Sequence, residues 1–179
     1  MNKNLSSTVK ILLIMLCVTT FAMTANAQAK KKKTTAKKTT TASTVSSNAT
    51  EIRSGAEKVS IQIKNVSKFV YLLGGIARAI EDLDQEAQTR RISQASIDAN
   101  NKNKQAVIQG IKNIRAGLVA LEIEFRTKAS LKNYLFQING VSNLAANAED
   151  QAANGQITES GKTLLLVVEK LSDTLVALP

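Results

Sequence analysis

The segment Gly155–Thr163, GQITESGKT, has the residue types of a phosphate-binding loop in nucleotide hydrolases. Such a loop has four residues between its first glycine and the Gly-Lys pair, because that length lets backbone N–H groups surround the phosphates. Here five residues separate Gly155 from Gly161, and Glu159 would bring a negative charge into the site. The preceding NLAANAEDQAAN has helical spacing rather than the pattern of a buried strand. We therefore predict no nucleotide site; instead, Asn154-Gly155 ends one helix and Thr158 caps the next.

An acidic cluster, Glu81, Asp82, Asp84 and Glu86, is the next group with possible chemistry. A calcium site requires alternating oxygen ligands on a loop with a glycine at its sharp turn. No such glycine occurs here, and at helical spacing the four carboxylates point in several directions. The cluster is typical of a solvated helix face.

A second carboxylate pair, Glu122 and Glu124, is two residues apart, which is about 200° around a helix, so the two cannot act on one substrate. We expect Glu122 to pair with Arg126 or to be solvated. The aromatic residues Tyr71, Tyr134 and Phe136 have helical spacing and are expected in the core or at its edge.

The chain has no histidine, and its single cysteine, Cys17, lies in an apolar run near the N-terminus. Histidine-dependent metal sites, Ser-His and Cys-His nucleophile pairs and the Glu-x-x-His pairs of di-iron bundles are therefore excluded. A disulfide framework is excluded too. The sequence predicts a protein that is not an enzyme, with no catalytic residue, cofactor or metal.

Residues 1–27 have the three-part layout of a secretory signal peptide. Lys3 and Lys10 precede an apolar run over 11–23, and Ala25-Asn26-Ala27 supplies small residues for cleavage. An uncleaved anchor is the rival interpretation, but the run is shorter than the roughly 20 residues that span a bilayer. We predict cleavage and export, to the periplasm or outside the cell. The signal layout favours a bacterial source.

Residues 28–50 form a Lys/Thr-rich tail that has six lysines and no acidic residue. Too little apolar surface is present to offset the entropy of ordering the backbone, so the tail is predicted to be disordered. It carries six of the ten net positive charges, and residues 51–179 are nearly neutral. The residues predicted to contact a polyanion are Lys30, Lys31, Lys32, Lys33, Lys37 and Lys38.

Three interpretations of the tail are open. A solvated spacer requires nothing further, whereas an anionic envelope surface would attract it by about 1 kcal/mol per lysine. Nucleic acid is the weakest of the three, because the signal peptide directs the chain out of the cytoplasm and no aromatic residue between the lysines can stack on bases.

Residues 51–179 have apolar side chains at alternating steps of three and four, the period of amphipathic helices. The first stripe has no interruption for four heptads, and Asn48 with Glu51 is a plausible N-terminal cap. Gly74-Gly75 is where this helix would kink or split. The stripe consists of Ile52, Ala56, Val59, Ile63, Val66, Val70, Leu73, Ala77 and Ile80.

Three more stripes follow, and residues 85–101 between the first two fit an extension of helix one, a loop or the start of helix two. Gly110 and Gly117 beside the second stripe indicate close approach of a neighbouring helix. Spacing across Asn139-Gly140 favours unbroken helix over a turn. The stripes are Val107, Ile111, Ile114, Leu118, Leu121 and Phe125; Tyr134, Ile138, Val141, Ala145, Ala148 and Ala152; and Leu164, Val168, Leu171, Leu175 and Leu178.

Together these patterns predict an all-α protein: an antiparallel up-and-down four-helix bundle over 51–179, preceded by a signal peptide and a disordered basic tail. The fourth helix is apolar nearly all round and is expected to be the most enclosed or to face a second subunit. We expect a non-enzymatic envelope scaffold or partner-binding protein that contacts a protein or itself. The alternatives are a carrier of an apolar ligand or lipid and a polyanion-binding protein.

Overall fold

The structure, a computed structural model, describes residues 40–89 and 92–179, and in them it contains helices and turns but no strand. The predicted signal peptide and residues 28–39 of the predicted tail lie outside the described residues. The all-helical fold is confirmed, with four principal helices, α1, α2, α4 and α5. The helices are α1 (Thr40–Thr89), α2 (Gln94–Thr127), α3 (Leu135–Ile138, after a 3-10 turn at Lys132–Tyr134), α4 (Val141–Ala153) and α5 (Ile157–Ala177).

The four principal helices form a ring in which α1 packs on α2 and α5, and α4 packs on the same two helices. The order of contacts shows that α1 and α2 are antiparallel. Lys58, in the first half of α1, donates to Glu124 near the end of α2 at 2.6 Å. Lys104, near the start of α2, donates to Asp84 near the end of α1 at 2.9 Å.

The remaining neighbours are antiparallel by the same criterion. Glu122, late in α2, accepts a hydrogen bond from Ser142 at the start of α4. Glu81, late in α1, accepts from Thr158 at the start of α5. Thr163, early in α5, donates to Gln151 late in α4. Each helix is therefore flanked by two helices of opposite direction.

Most of the bundle core comes from the predicted stripes. The α5 stripe is partly wrong, because Val168 and Leu175 are half-buried and Val167 and Thr174 are buried in their place. All six stripe residues of α2 are buried, and so are the stripe positions of α4. Three of the buried stripe positions of α4 are alanines, and α4 packs on α2 and α5. Short side chains of this kind let neighbouring helices pack closely. The largest fully buried side chains are Phe125, Ile80, Ile111, Leu118, Leu131, Ile138, Ile157, Leu164 and Leu171.

Helix α1 is longer and more regular than predicted. It includes residues 40–50, so the start at Asn48 with Glu51 is wrong, and Glu51 instead accepts a hydrogen bond from Ser130. The helix also continues through Gly74-Gly75 without a break. Packing of the stripe on both sides of the glycines holds the helix together there, because tertiary burial outweighs a weak local propensity.

The region 85–101, for which three interpretations were open, is divided between two helices. Residues 85–89 complete α1, and residues 94–101 form the first two turns of α2. Ser93 is the N-cap of α2, with its Oγ accepting from the Ser96 N–H at 3.2 Å.

The predicted third helix is interrupted, contrary to the expectation of unbroken helix. Asn139 ends α3, and Gly140 has a φ of 92°, a left-handed conformation that favours glycine, before α4 begins. The other Asn-Gly pair behaves as predicted. Gly155, with a φ of 81°, ends α4, and the Gln156 N–H donates to the Gln151 carbonyl at 2.9 Å.

Two glycines of α2 receive side chains from α1, which confirms the close approach predicted for them. A Cβ at Gly110 would lie 2.4 Å from the Phe69 ring, and one at Gly117 would lie 2.8 Å from the Gln62 amide. Gly74 and Gly75 are different, since both are exposed and a Cβ there would meet nothing within 4 Å.

Replacing Gly74 or Gly75 with alanine should therefore stabilise the bundle, by about 0.5–1 kcal/mol each, because alanine loses less backbone entropy on entering a helix. Gly110→Ala is the matched control and should destabilise, since Phe69 must move. Urea unfolding at high dilution measures both. Destabilisation by Gly74→Ala would contradict the open environment.

Candidate functional site

The site residues predicted from sequence, the six lysines between Lys30 and Lys38, lie outside the described residues. Three features of the described residues could have a function: the segment resembling a phosphate loop, the carboxylates and the exposed surface of the bundle.

The segment resembling a phosphate loop is divided between a turn and a helix. Gly155 is in the turn, and Gly161, Lys162 and Thr163 lie inside α5, where backbone N–H groups serve the helix. Lys162 donates to Glu159 at 2.6 Å, a pair on one exposed helix face. The segment therefore does not form a phosphate cradle. Thr158 is also not the N-cap as predicted, because that position is Gln156.

Six carboxylates of the described residues are buried or half-buried, and each bonds to a different element. Each of these groups is held by a structural contact that occupies at least one of its carboxylate oxygens. The remaining eight acidic residues of the chain are exposed. The six are Glu51, Glu81, Asp84, Glu122, Glu124 and Glu149, bonded to Ser130, Thr158, Lys104, Ser142, Lys58 and Arg115.

Glu122 is 8% exposed and binds the N-terminus of α4, so its predicted pairing with Arg126 or solvent is wrong. Its Oε1 accepts from the Gly140 N–H at 2.7 Å and the Ser142 N–H at 3.3 Å, and its Oε2 accepts from the Ser142 hydroxyl at 2.7 Å. The N-cap residue of α4 is a glycine and offers no side-chain cap. A carboxylate from α2 therefore satisfies N–H groups that α4 leaves open.

Glu81 does the same for α5, where Gln156 makes no side-chain cap. It accepts from the Thr158 N–H and from the Thr158 hydroxyl, both at 2.8 Å. The prediction that the acidic cluster is wholly solvated is thus wrong for Glu81 and for Asp84. Asp82 and Glu86 are exposed, as predicted.

Glu124 joins α1 to the end of α2 through Lys58 and Lys128. Burial acts to raise the pKa of Glu124, but the hydrogen bonds and charges of the two lysines outweigh it and hold the pKa below its usual value. The carboxylate therefore stays ionised as part of a structural bridge.

A cleft of about 570 Å³ lies where the end of α1, the start of α2 and the end of α4 meet. Asp84 and Lys104 line it and bind each other, and Asp84 also accepts from Asn100 at 2.8 Å. Ile108 is the one large apolar side chain in the lining; the other residues are Asn101, Gln105, Ala152, Ala153, Asn154 and Gly155. A polar lining of this kind does not favour the carrier of an apolar ligand.

The surface of α1 and α5 carries exposed apolar side chains. Leu165 is 52% exposed, Leu166 49% and Val176 86%. Of the two alternatives predicted for the fourth helix, the most enclosed position is therefore wrong, and contact with a second subunit stays a prediction. Tyr71 and Phe136, predicted in or beside the core, are 83% and 87% exposed, whereas Tyr134 packs against the core. Each of the four helices has a side that is turned away from the ring, and side chains on that side have no neighbouring helix to pack on.

Within residues 40–89 and 92–179, no group of three or more histidine, cysteine or acidic residues is placed to hold a metal ion. The described helices also include none that is both long enough and apolar enough to cross a membrane.

Comparisons with known protein families, curated proteins and solved structures give no match.

Proposed function

We propose that this chain is an exported, non-enzymatic protein whose helical bundle acts through surface contacts and whose lysine-rich tail contacts an anionic envelope component. After cleavage behind Ala27, the tail would precede the bundle and hold it close to the anionic surface.

The observation that carries the non-enzymatic part is the use of the carboxylates. With no histidine in the chain, acid–base chemistry falls to carboxylates, lysines, tyrosines and hydroxyls. Every carboxylate that is not exposed bonds to another element of the bundle. A carboxylate that caps a helix or bridges two helices is not available to exchange protons with a substrate, which supports a structural role for these groups.

The division of charge supports the part played by the tail. Six lysines between Lys30 and Lys38 contrast with a nearly neutral bundle, so electrostatic attraction to an anionic surface would act mainly on the tail. The exposed apolar side chains of α1 and α5 support protein contacts by the bundle, since contiguous exposed apolar surface often marks an interface.

Substituting all six tail lysines with glutamine should release the protein from the envelope fraction of cells lysed in low salt. At about 1 kcal/mol per lysine the expected loss of affinity is at least a hundredfold, and added salt should release the native chain as well. Fractionation followed by immunoblotting measures the distribution.

The matched control replaces the same six lysines with arginine, which keeps the charge and should keep the association. Unchanged fractionation of the glutamine variant would contradict an electrostatic role for the tail. Equal release of both variants would show that lysine chemistry other than charge is involved, and would overturn the proposal in this form.

A further inference from the structure

The outward side of the neighbouring helices α1 and α5, here named the α1/α5 face, combines apolar and charged side chains in one pattern. Positions 64, 68 and 71 of α1 are four and three residues apart and therefore share one side of the helix. Positions 165, 169, 173 and 176 share one side of α5 in the same way. All seven side chains are exposed: Lys64, Lys68, Tyr71, Leu165, Glu169, Asp173 and Val176.

The placement of this face follows from the contacts on the other sides of the two helices. Phe69 of α1 packs on α2, and Leu73 lies beside Gly161 of α5. Tyr71 is about 200° around the helix from Phe69, which turns it outward beside α5. On α5, Thr163 bonds to α4, so Leu165, about 200° further round, is turned outward beside α1.

The charges of the face are separated by helix. Between Lys58 and Ile80, α1 has basic residues and no acidic one, whereas Glu169 and Asp173 give the exposed side of α5 two carboxylates. Within the described residues, Lys64, Lys68, Glu169 and Asp173 form no ion pair. The face is thus a basic strip beside an acidic strip, with exposed Tyr71 and Leu165 at one end of the charged residues and exposed Val176 at the other.

The two strips are in register along the bundle. Leu73 lies level with Gly161, and Glu81 is bonded to Thr158, so antiparallel α1 and α5 are aligned at known points. Counting from these points, residues on the two helices that share a level are Tyr71 with Leu165 and Leu166, Lys68 with Glu169, and Lys64 with Asp173.

We propose that two copies of this chain form a dimer through the α1/α5 face. A two-fold axis parallel to the helices places α1 of one copy on α5 of the other and keeps every residue at its own level. Lys68 then faces Glu169, Lys64 faces Asp173, and Tyr71 faces Leu165, each twice. An axis across the helices would place α1 on α1 and lysine on lysine, and repulsion disfavours it.

The size of the face fits a weak, reversible dimer. Two adjacent helices of the length of α5 present about 30 by 20 Å, or roughly 600 Å² per partner. Stable interfaces bury about 800 Å² per partner, so this face lies toward the lower end of the specific range. Association should therefore depend on concentration and weaken with salt, because four of its contacts are ion pairs near the surface.

Charge reversal with exchange is the test, with sedimentation velocity over a concentration series of the full chain as the measurement. Lys64→Glu with Lys68→Glu should weaken dimerisation by roughly tenfold or more, and Glu169→Lys with Asp173→Lys should do the same. The chain with all four changes should dimerise as the native one does. Lys102→Glu with Lys132→Glu, two exposed lysines outside the face, changes net charge equally and should have no effect.

A native chain that is monomeric at every concentration would overturn the proposal. So would a variant with all four changes that is folded by circular dichroism and does not recover dimerisation.

The orientation of the two copies is tested by mixing Lys68→Cys and Glu169→Cys chains in a Cys17→Ser background. Disulfide-linked dimers that contain one of each support α1 on α5, and linkage of Lys68→Cys chains to themselves contradicts it.

This inference rests on the proposed role of the bundle as an interaction module, but on neither export nor the tail. The two proposals therefore fail separately: the tail substitutions change fractionation and leave sedimentation as it was, and the charge reversals change sedimentation and leave fractionation in low salt as it was.

Discussion

Replacing Phe125 with alanine should lower the free energy of unfolding by about 3–5 kcal/mol, the cost of removing a fully buried aromatic side chain and leaving a cavity. Phe125 is 0% exposed and is the last residue of the α2 stripe. It belongs to the same buried cluster as Leu131 and Ile138, which lie in the connection between α2 and α4.

Phe136→Ala is the matched control, because the same residue type is 87% exposed there. Its effect should stay within about 0.5 kcal/mol, as for surface positions in general. Urea unfolding followed by circular dichroism measures both. Tolerance of Phe125→Ala would indicate helices that separate around a ligand, which is the carrier alternative, and would contradict a closed core.

The positions that the sequence predicted well are those determined by burial alone. Val107, Ile114 and Phe125 belong to a stripe whose period matches the helix, and a helix with one apolar side buries that side whichever neighbour it has. The stripe of α1 was recognisable for the same reason. Apolar spacing thus locates most of the core independently of the order of the helices, although Val168 and Leu175 of the α5 stripe are only half-buried.

The polar contacts were not predictable, because they depend on which helices are neighbours and on their register. Glu122 was expected to pair with Arg126, one turn away, or to be solvated, and instead it bonds to Ser142 at the start of α4. Asp84 meets Lys104, 20 positions along the chain. The spacing of residues within one helix does not show the direction of the next helix or the register between the two helices, so it cannot predict which polar side chains meet.

Two local errors have other causes. The composition of residues 40–50 favours disorder, yet they extend α1 at its N-terminal end. The apolar residues on either side of Asn139-Gly140 have helical spacing, although a turn separates α3 from α4 there. The spacing arises because the apolar sides of both helices face the same core. A turn with glycine at positive φ can preserve the apolar side of two successive helices.

One signal in the sequence indicates where Glu122 and Glu81 bind the starts of α4 and α5. Asn139-Gly140 is followed by Val141-Ser142, and Asn154-Gly155 is followed, one residue later, by Ile157-Thr158. Each pair ends one helix and leaves the next without a side-chain cap of its own. A hydroxyl residue at the second helical position then binds a glutamate from a neighbouring helix.

Replacing Glu122 with alanine should lower the free energy of unfolding by about 2–4 kcal/mol, because buried donors at the start of α4 lose an ionised acceptor. The Gly140 and Ser142 N–H groups and the Ser142 hydroxyl all donate to this carboxylate. Its negative charge also lies at the positive end of the dipole of α4. Urea unfolding is again the measurement, and Glu86→Ala, at an exposed position of the acidic cluster, should have little effect.

Glu122→Gln distinguishes the hydrogen bonds from the charge. The amide keeps one carbonyl oxygen as acceptor but turns a donor toward one of the groups that the carboxylate accepts from, so its cost should fall between that of alanine and none. Hydrogen exchange at Gly140 and Ser142, at the start of α4, should accelerate in both variants before exchange elsewhere in α4. Uniform acceleration along the chain would mean that Glu122 stabilises the whole bundle and not the start of α4.

Glu81 and Thr158 repeat the arrangement at the start of α5. Combining Glu122→Ala with Glu81→Ala should therefore destabilise the first turns of both α4 and α5. The two decreases in the free energy of unfolding should add only if α4 and α5 begin independently.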